Sequence, residues 1–347
     1  MKTTAIIART STVLATLLVP YAVSAAETLY IGGPGGSYQK AIEEKLIPAF
    51  EAKTGAKVVY VPGSSSDTLA KLIAQKGKQD LSIIAIDSSV MRQAVNQDLC
   101  AALPDSLVVK DLYPAARMEG NKSVGTGFYA VGLGYNKDVF AKNGWAAPTS
   151  WKDLGDPKFK GKVSMGPFSG YGVEALVLVA KANGGSERDI DPGFKFMSEK
   201  VAPNVFAWEG NQANLAQMFQ TGEAALIVWG NTRVIPVADQ GAPVAFVIPK
   251  EGAEQAMNAA CVVNGGPQAK LGGQLLEYFL SPEAQTIMAE SSGYGPTNSK
   301  VKLKPELAAK VIYGPEQVNS LLPTDWPYVN TQRDAWAKRW NREIEQR

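Results

Sequence analysis

Along most of the chain, short apolar runs of strand length alternate with stretches whose apolar positions recur at helical spacing. Thr28–Gly32 reads as a strand that runs into the loop Gly33-Pro34-Gly35-Gly36. Ser37 then opens a helix expected to reach about Lys53, with Gly55 as its stop. Pro48 lies inside that helix and lacks the backbone N–H the helix uses, so a kink or split is expected there. Lys57–Val61 is the next strand, 62–66 its exit loop, and a further helix is expected from about Asp67 to Lys76. Leu81–Ile86 is a continuous apolar run of the buried-strand type, and Asp87-Ser88-Ser89 leads from it into another helix. Three strand–loop–helix units in quick succession imply parallel strands joined by right-handed crossovers.

The middle of the chain changes character. Gly125–Tyr135 is rich in glycine and aromatic residues, reads as extended, and suits a crossing between two bodies. Val163–Met165, the loop Gly166–Gly170 and a helix over Tyr171–Ala182 repeat the strand–loop–helix pattern. Ala224–Trp229 and Val244–Pro249 read as further strands, the second a natural return crossing. Leu271–Leu280 is a helix, Ser281-Pro282 starts another with proline at its first position, and Asp334–Gln346 forms an aromatic and charged tail helix. The alternation marks an α/β protein, and about 320 residues beyond the N-terminal segment exceed a typical single core, so two lobes are expected.

Residues 1–25 break this pattern. Lys2 and Arg9 precede a short apolar core, Val13–Val19, and Val23-Ser24-Ala25 fits a small-residue cleavage site, with cutting after Ala26 fitting nearly as well. The apolar core falls far short of the roughly 20 residues a membrane span needs. No cysteine follows to carry a lipid and no twin-arginine pair precedes it, so export to the periplasm by the general secretory route is expected, without direct membrane insertion. The segment holds two of the 35 basic residues and none of the 33 acidic ones, which leaves 33 of each in the remainder. A neutral exported chain lacks the basic surplus of a nucleic-acid binder and gives no reason to expect anionic lipid as a partner. The chain contains no histidine and two cysteines, which excludes His-based hydrolases, imidazole zinc sites and all-cysteine clusters. No cofactor is expected.

A series of short motifs runs in order along the chain. It begins with Gly35-Gly36-Ser37-Tyr38-Gln39 and Lys53-Thr54-Gly55, then Tyr135-Asn136-Lys137-Asp138 and Pro148-Thr149-Ser150-Trp151-Lys152-Asp153-Leu154. Asp156-Pro157-Lys158-Phe159-Lys160-Gly161-Lys162, Gly222-Glu223-Ala224 and Val228-Trp229-Gly230-Asn231 follow. Pro249-Lys250-Glu251-Gly252, Leu280-Ser281-Pro282-Glu283-Ala284 and Gly293-Tyr294-Gly295-Pro296-Thr297-Asn298 close the series. In this order the chain resembles the periplasmic substrate-binding proteins of ABC importers, in the branch that includes spermidine/putrescine-binding proteins. The resemblance implies an α/β, two-lobed periplasmic binding fold, type II-like, with a hinge and a central ligand cleft. Residues 26–130 with 246–298 would form one lobe, and 131–245 with 299–347 the other. The implied partners are a small-molecule ligand and the membrane permease of an importer, with the chain itself a monomer. The implied fold also puts Cys100 and Cys261 in one lobe. In an oxidising compartment the pair reads as a disulfide, against the alternative of two buried thiols.

In open α/β sheets ligands lie beyond the carboxyl ends of the strands, where helix N-termini offer free N–H groups. That rule selects Ser37, Tyr38, Ser65, Ser66, Asp87 and Ser88 in the first lobe. In the second it selects Tyr171, Trp208, Glu209, Trp229 and Asn231, with Arg233 just beyond and Tyr294 near the closing segment, and the resemblance adds Glu174. Ser37, Ser66 and Asp87 read equally well as helix caps, and Trp229 as lobe packing, although its family position favours stacking on the ligand. Glu174 suits the dipole of its helix, and is also close to where polyamine-binding relatives place an acidic ligand residue. Asp87, Glu174 and Glu209 would meet ammonium groups, and the aromatic residues the chain between them. The first loop lacks the aromatic segment usual in polyamine binders, and its glycines, with Arg233, would suit a carboxylate or phosphonate. The balance favours an amine-bearing ligand, with an organic anion as the alternative. An iron ligand is disfavoured, since no adjacent tyrosine pair is present. A hydrolase built on Ser37 and Lys40, with Lys53-Thr54-Gly55 as a second element, is the rival from another class. Its motifs lie too close together in sequence for the enzymes that use them.

Overall fold

The computed structural model describes residues 27–105, 109–254 and 256–346; the expected export signal at 1–25 lies outside the described residues. The strands are β1 (Thr28–Gly33), β2 (Lys57–Pro62), β3 (Ile83–Asp87), β4 (Val124–Tyr129), β5 (Val131–Asn136), β6 (Val163–Met165), β7 (Val205–Trp208), β8 (Leu226–Gly230), β9 (Val244–Val247) and β10 (Ala256–Val262). They form two five-stranded sheets, in the orders β2-β1-β3-β10-β4 and β7-β6-β8-β5-β9. As the early strand–loop–helix units imply, β1 pairs in parallel with both β2 and β3. β10 and β4 then extend that sheet in antiparallel fashion.

The glycine-rich crossing consists of two strands, one in each sheet, with Ala130 alone between them. The chain returns to the first sheet between β9 and β10. β10 carries no alternation because all seven of its residues are buried between the helices on either face.

Two local departures from expectation have simple causes. The helical run 37–54 is continuous, and a π-type turn at Ile42–Leu46 comes immediately before Pro48, where it absorbs the missing N–H. The next helix begins at Ser65 because Ser64, not a later residue, caps it: the Ser64 hydroxyl accepts from the Asp67 N–H, and the Asp67 carboxylate accepts from the Ser64 N–H.

The tail helix starts at Trp326, well before the expected position, and lies against both lobes. Trp340 packs at 5.5 Å from Trp208 and 5.7 Å from Phe168, while Asn330 Nδ2 donates to the Ser89 carbonyl at 3.2 Å. Among the described residues, no helix is long and apolar enough to cross a membrane.

Cys100 and Cys261 form a disulfide, with their Cα atoms 5.7 Å apart and both on the β10 side of the first sheet. It closes a loop spanning 161 residues of sequence, which restricts the unfolded chain far more than a short loop would. Replacing both cysteines by serine is expected to lower stability by about 2–5 kcal/mol. In urea unfolding, reductant should shift the wild-type midpoint and leave that of the double variant in place.

Candidate functional site

Asp87, the last residue of β3, stands at the carboxyl end of its sheet. It accepts from Ser65 Oγ at 2.7 Å and from the Tyr129 hydroxyl at 2.7 Å, and its own N–H donates to Ser65 Oγ at 3.1 Å. A carboxylate offers about four lone-pair positions, so these two donors leave Asp87 with acceptor capacity directed elsewhere. Around it lie the rings of Tyr38, Tyr129 and Tyr294, with Tyr38–Tyr294 at 5.2 Å and Tyr129–Tyr294 at 5.8 Å, both edge to face. Burial raises all three phenols above their ordinary value, so they remain neutral hydroxyls.

The second lobe supplies the opposite charge. Arg233 follows β8 by three residues and reaches across, Nη1 donating to the Gly35 carbonyl at 3.3 Å. Its guanidinium also acts electrostatically on the Tyr171 phenol, whose pKa is pushed up to about 12, chiefly by burial, with Arg233 pulling against that. Gly36 has φ 74°, and a Cβ there would lie 2.8 Å from Arg233 Nη1, so the approach of the two lobes requires glycine at this point.

Glu174 lies on the first turn of the helix Val173–Ala182. Its Oε2 is sealed from solvent and has no hydrogen-bond partner among the described residues. Burial pushes its pKa up to about 7; the Arg333 guanidinium pulls against that and the Asp87 charge adds to it. Behind it, Glu254 is fully enclosed on the return crossing and accepts from the Trp326 indole. Burial first, and then the charge of Glu174, push Glu254 well above the usual carboxylate range. Arg333 is held by Asn330 at 2.9 Å and by the face of Trp326 at 5.6 Å.

Phenols and charges of both signs from the two α/β lobes thus converge in one place. Residues 45–315 match the model of the family described as bacterial extracellular solute-binding proteins. The chain belongs to that family.

Among curated relatives, a Salmonella typhimurium protein named for binding 2-aminoethylphosphonate in the periplasm is 26% identical over 325 residues, covering 86% of each chain. The spermidine/putrescine-binding periplasmic protein of Escherichia coli is 26% identical over 294 residues, 79% of this chain and 77% of the other. The binding protein MotA of A. tumefaciens B6, solved with glucopine, matches with a TM-score of 0.77 at 21% identity over 91% of this chain and 99% of its own. The last likeness concerns the fold.

Within this solute-binding protein, Ser65, Asp87, Tyr38, Tyr171, Arg233 and Tyr294, drawn from the strand ends, come together with Glu174, drawn from the resemblance. Other candidates are engaged elsewhere. Trp229 belongs to the second lobe's own core beside Leu215, Phe219 and Val234, and its Nε1 donates to Gln212 at 2.7 Å, which is the packing role rather than ligand stacking. Trp208 packs on Trp340, and Glu209 accepts from the Asn211 N–H and from Asn214 Nδ2 at the start of a helix. Ser66 is exposed. Ser37 and Ser88 are the first residues of their helices, with Gly36 and Asp87 at the capping positions, and Asp87 makes no cap bond because its carboxylate is turned to Ser65 and Tyr129.

Asn231 is buried and fully committed. Its Oδ1 accepts from the Ala130 N–H at 2.9 Å, and its Nδ2 donates to the Gly293 carbonyl at 3.2 Å. The hydrolase alternative fails on distance: Lys40 is exposed, and Lys53 lies at the far end of the helical run that begins at Ser37. At 1.5 Å per residue that is more than about 20 Å away. Tyr129, Glu254 and Arg333 were not legible as site residues. Tyr129 reaches Asp87 through sheet order, and Arg333 through a helix that starts earlier than its composition suggests.

Trp229→Ala is expected to lower stability by about 3–5 kcal/mol, as loss of a buried indole does, and chemical denaturation checks this. The raised Glu174 sets a pH dependence. Between its unfolded value near 4.5 and about 7 the folded chain holds more protons than the unfolded one, so this group's contribution to stability falls as pH rises through that window. Glu174→Gln should flatten that part of the stability–pH profile of the unliganded protein.

Proposed function

We propose that this chain is the periplasmic solute-binding component of an ABC importer, capturing a small polar ligand that bears an amine and delivering it to the membrane permease. The observation that carries the ligand class is the unpartnered, sealed Oε2 of Glu174 facing the same interior as Asp87. A buried carboxylate oxygen without a donor is costly, and an ammonium supplies donors and charge together. The rings of Tyr38, Tyr171 and Tyr294 offer faces to the same cation. The protein acts as an exported monomer. The lobes, 26–130 with 248–298 and 131–247 with 299–347 once β9 is counted with its own sheet, close about the three crossings between them, and that closure presents the loaded form to the permease. The family and the fold are those of transport proteins, in keeping with a site that binds and does not turn over.

Thermal unfolding against a panel of amines, amino acids, quaternary amines, carboxylates and phosphonates tests this. An amine-bearing ligand should raise the melting temperature with concentration, by about 2.7 kcal/mol of stability at a hundred times Kd. Its affinity should increase as pH rises through about 7, since Glu174 must release its proton to meet the ammonium. Glu174→Gln should weaken binding at least about tenfold and remove that pH dependence. Stabilisation only by anions that lack an amine would refute the amine assignment.

A further inference from the structure

We infer that the ligand is a zwitterion, with its ammonium held between Asp87 and Glu174 and its carboxylate or phosphonate held by Arg233. This rests on the amine reading and adds the second pole. Four charged side chains face one interior: Asp87 and Glu174 on the acidic side, Arg233 and Arg333 on the basic side, each within electrostatic range of another. None of them forms an ion pair with another; the ion pairs among the described residues lie elsewhere. All four are half-buried, and Glu174 Oε2 is sealed from solvent; charges of opposite sign that lose water without pairing are a poor arrangement for stability alone.

The geometry explains why they stay apart. The Tyr171 phenol stands in the field of Arg233 on one side and of Asp87 and Glu174 on the other, between the two poles. Arg233 donates from Nη1 to the Gly35 carbonyl, which leaves guanidinium N–H groups to spare from a rigid fork suited to a carboxylate or phosphonate. Asp87 likewise retains acceptor positions after Ser65 and Tyr129, and Glu174 Oε2 has no donor at all.

A molecule with an ammonium at one end and an anion at the other supplies the missing partner at each pole. A diamine sets its second ammonium against Arg233. A simple anion that reaches Arg233 leaves both carboxylates unanswered and adds a like charge.

Calorimetric titration of the purified, exported form with charge-matched probes separates these cases. The zwitterions are a series of α-, β- and γ-amino acids with 2-aminoethylphosphonate. The controls are 1,4-diaminobutane, butanoate and ethylphosphonate. The expected result is one or more zwitterions binding at least about tenfold tighter than the diamine and both anions. A diamine that binds as tightly as the best zwitterion overturns the inference and leaves the amine reading standing. An anion that binds tightest overturns both. Absence of binding by every zwitterion at millimolar concentration overturns the inference as well.

Arg233→Gln should cost the zwitterion at least about tenfold and leave the diamine unweakened, with Arg233→Lys recovering part of the loss. An equal loss for zwitterion and diamine assigns Arg233 to lobe contact alone and overturns its role here. Should Arg233→Gln fail to fold, the wild-type ranking of zwitterion against diamine decides.

Discussion

The architecture turns on one buried amide. β4 and β5 belong to different sheets and are separated by Ala130 alone. Asn231 holds that single residue from both sides: its N–H donates to the Ala130 carbonyl at 3.0 Å, and its Oδ1 accepts from the Ala130 N–H. The same side chain donates to the carbonyl of Gly293. Three segments distant in sequence are thus locked at one point, and each carries a cleft residue next to the lock. Tyr129 precedes Ala130, Arg233 lies two residues beyond Asn231, and Tyr294 follows Gly293. The crossing between the sheets and the candidate site are therefore the same piece of structure. A fully satisfied buried polar group is what makes such a junction rigid enough to aim side chains and narrow enough to bend.

Against that frame, the cleft is electrostatically incomplete. Asp87, Glu174, Arg233 and Arg333 are half-buried and form no ion pair with one another among the described residues, while the phenols around them are held neutral by burial. Lobe contact is maintained by modest bonds, Arg233 to Gly35 and Asn330 to Ser89, each ending on a backbone carbonyl. Bonds of that kind contribute about 0.5–3 kcal/mol each, comparable to the penalty of leaving one buried charge unanswered. A ligand that answers the charges shifts the balance toward closure through the differential contacts it makes in the closed state, as any ligand-driven equilibrium requires.

Much of this was legible in the chain, for definite reasons. The early strands and their parallel pairing follow from apolar runs and short loops; the strand-end rule led to Asp87, Tyr38, Tyr171, Arg233 and Tyr294, and the resemblance to Glu174. The misses share a cause as well. β10 has small and polar residues, Asn258 among them, at positions buried on both faces, so neither alternation nor β-propensity marks it. Trp229 looked like a ligand platform because an indole at a strand end reads alike whether it faces a cleft or a core. Only the packing of Phe219 and the bond to Gln212 separate the two. Asn231 sits in a motif that suggested recognition of a ligand, yet its partners are backbone atoms 101 and 62 residues away. Glu254 and Arg333 owe their place to the tail helix, and no local pattern reports a contact made by a segment folding back over both lobes.

The absence of histidine takes on a meaning beyond the chemistry it removes. A site that is to hold both poles of a ligand, as proposed, needs donors and acceptors whose charge stays fixed. Tyrosine supplies this: burial drives the phenols upward, so Tyr38, Tyr129, Tyr171 and Tyr294 stay neutral wherever the protein works and orient without adding charge. An imidazole in their place would titrate near neutrality and change the charge of the cleft with small changes in surroundings. The carboxyls raised by burial are instead the neighbouring Glu174 and Glu254, and the charge of Glu174 adds to the rise of Glu254. On the zwitterion proposal, Asp87 and Arg233 would orient the ligand and Glu174 would give up its proton to meet the ammonium.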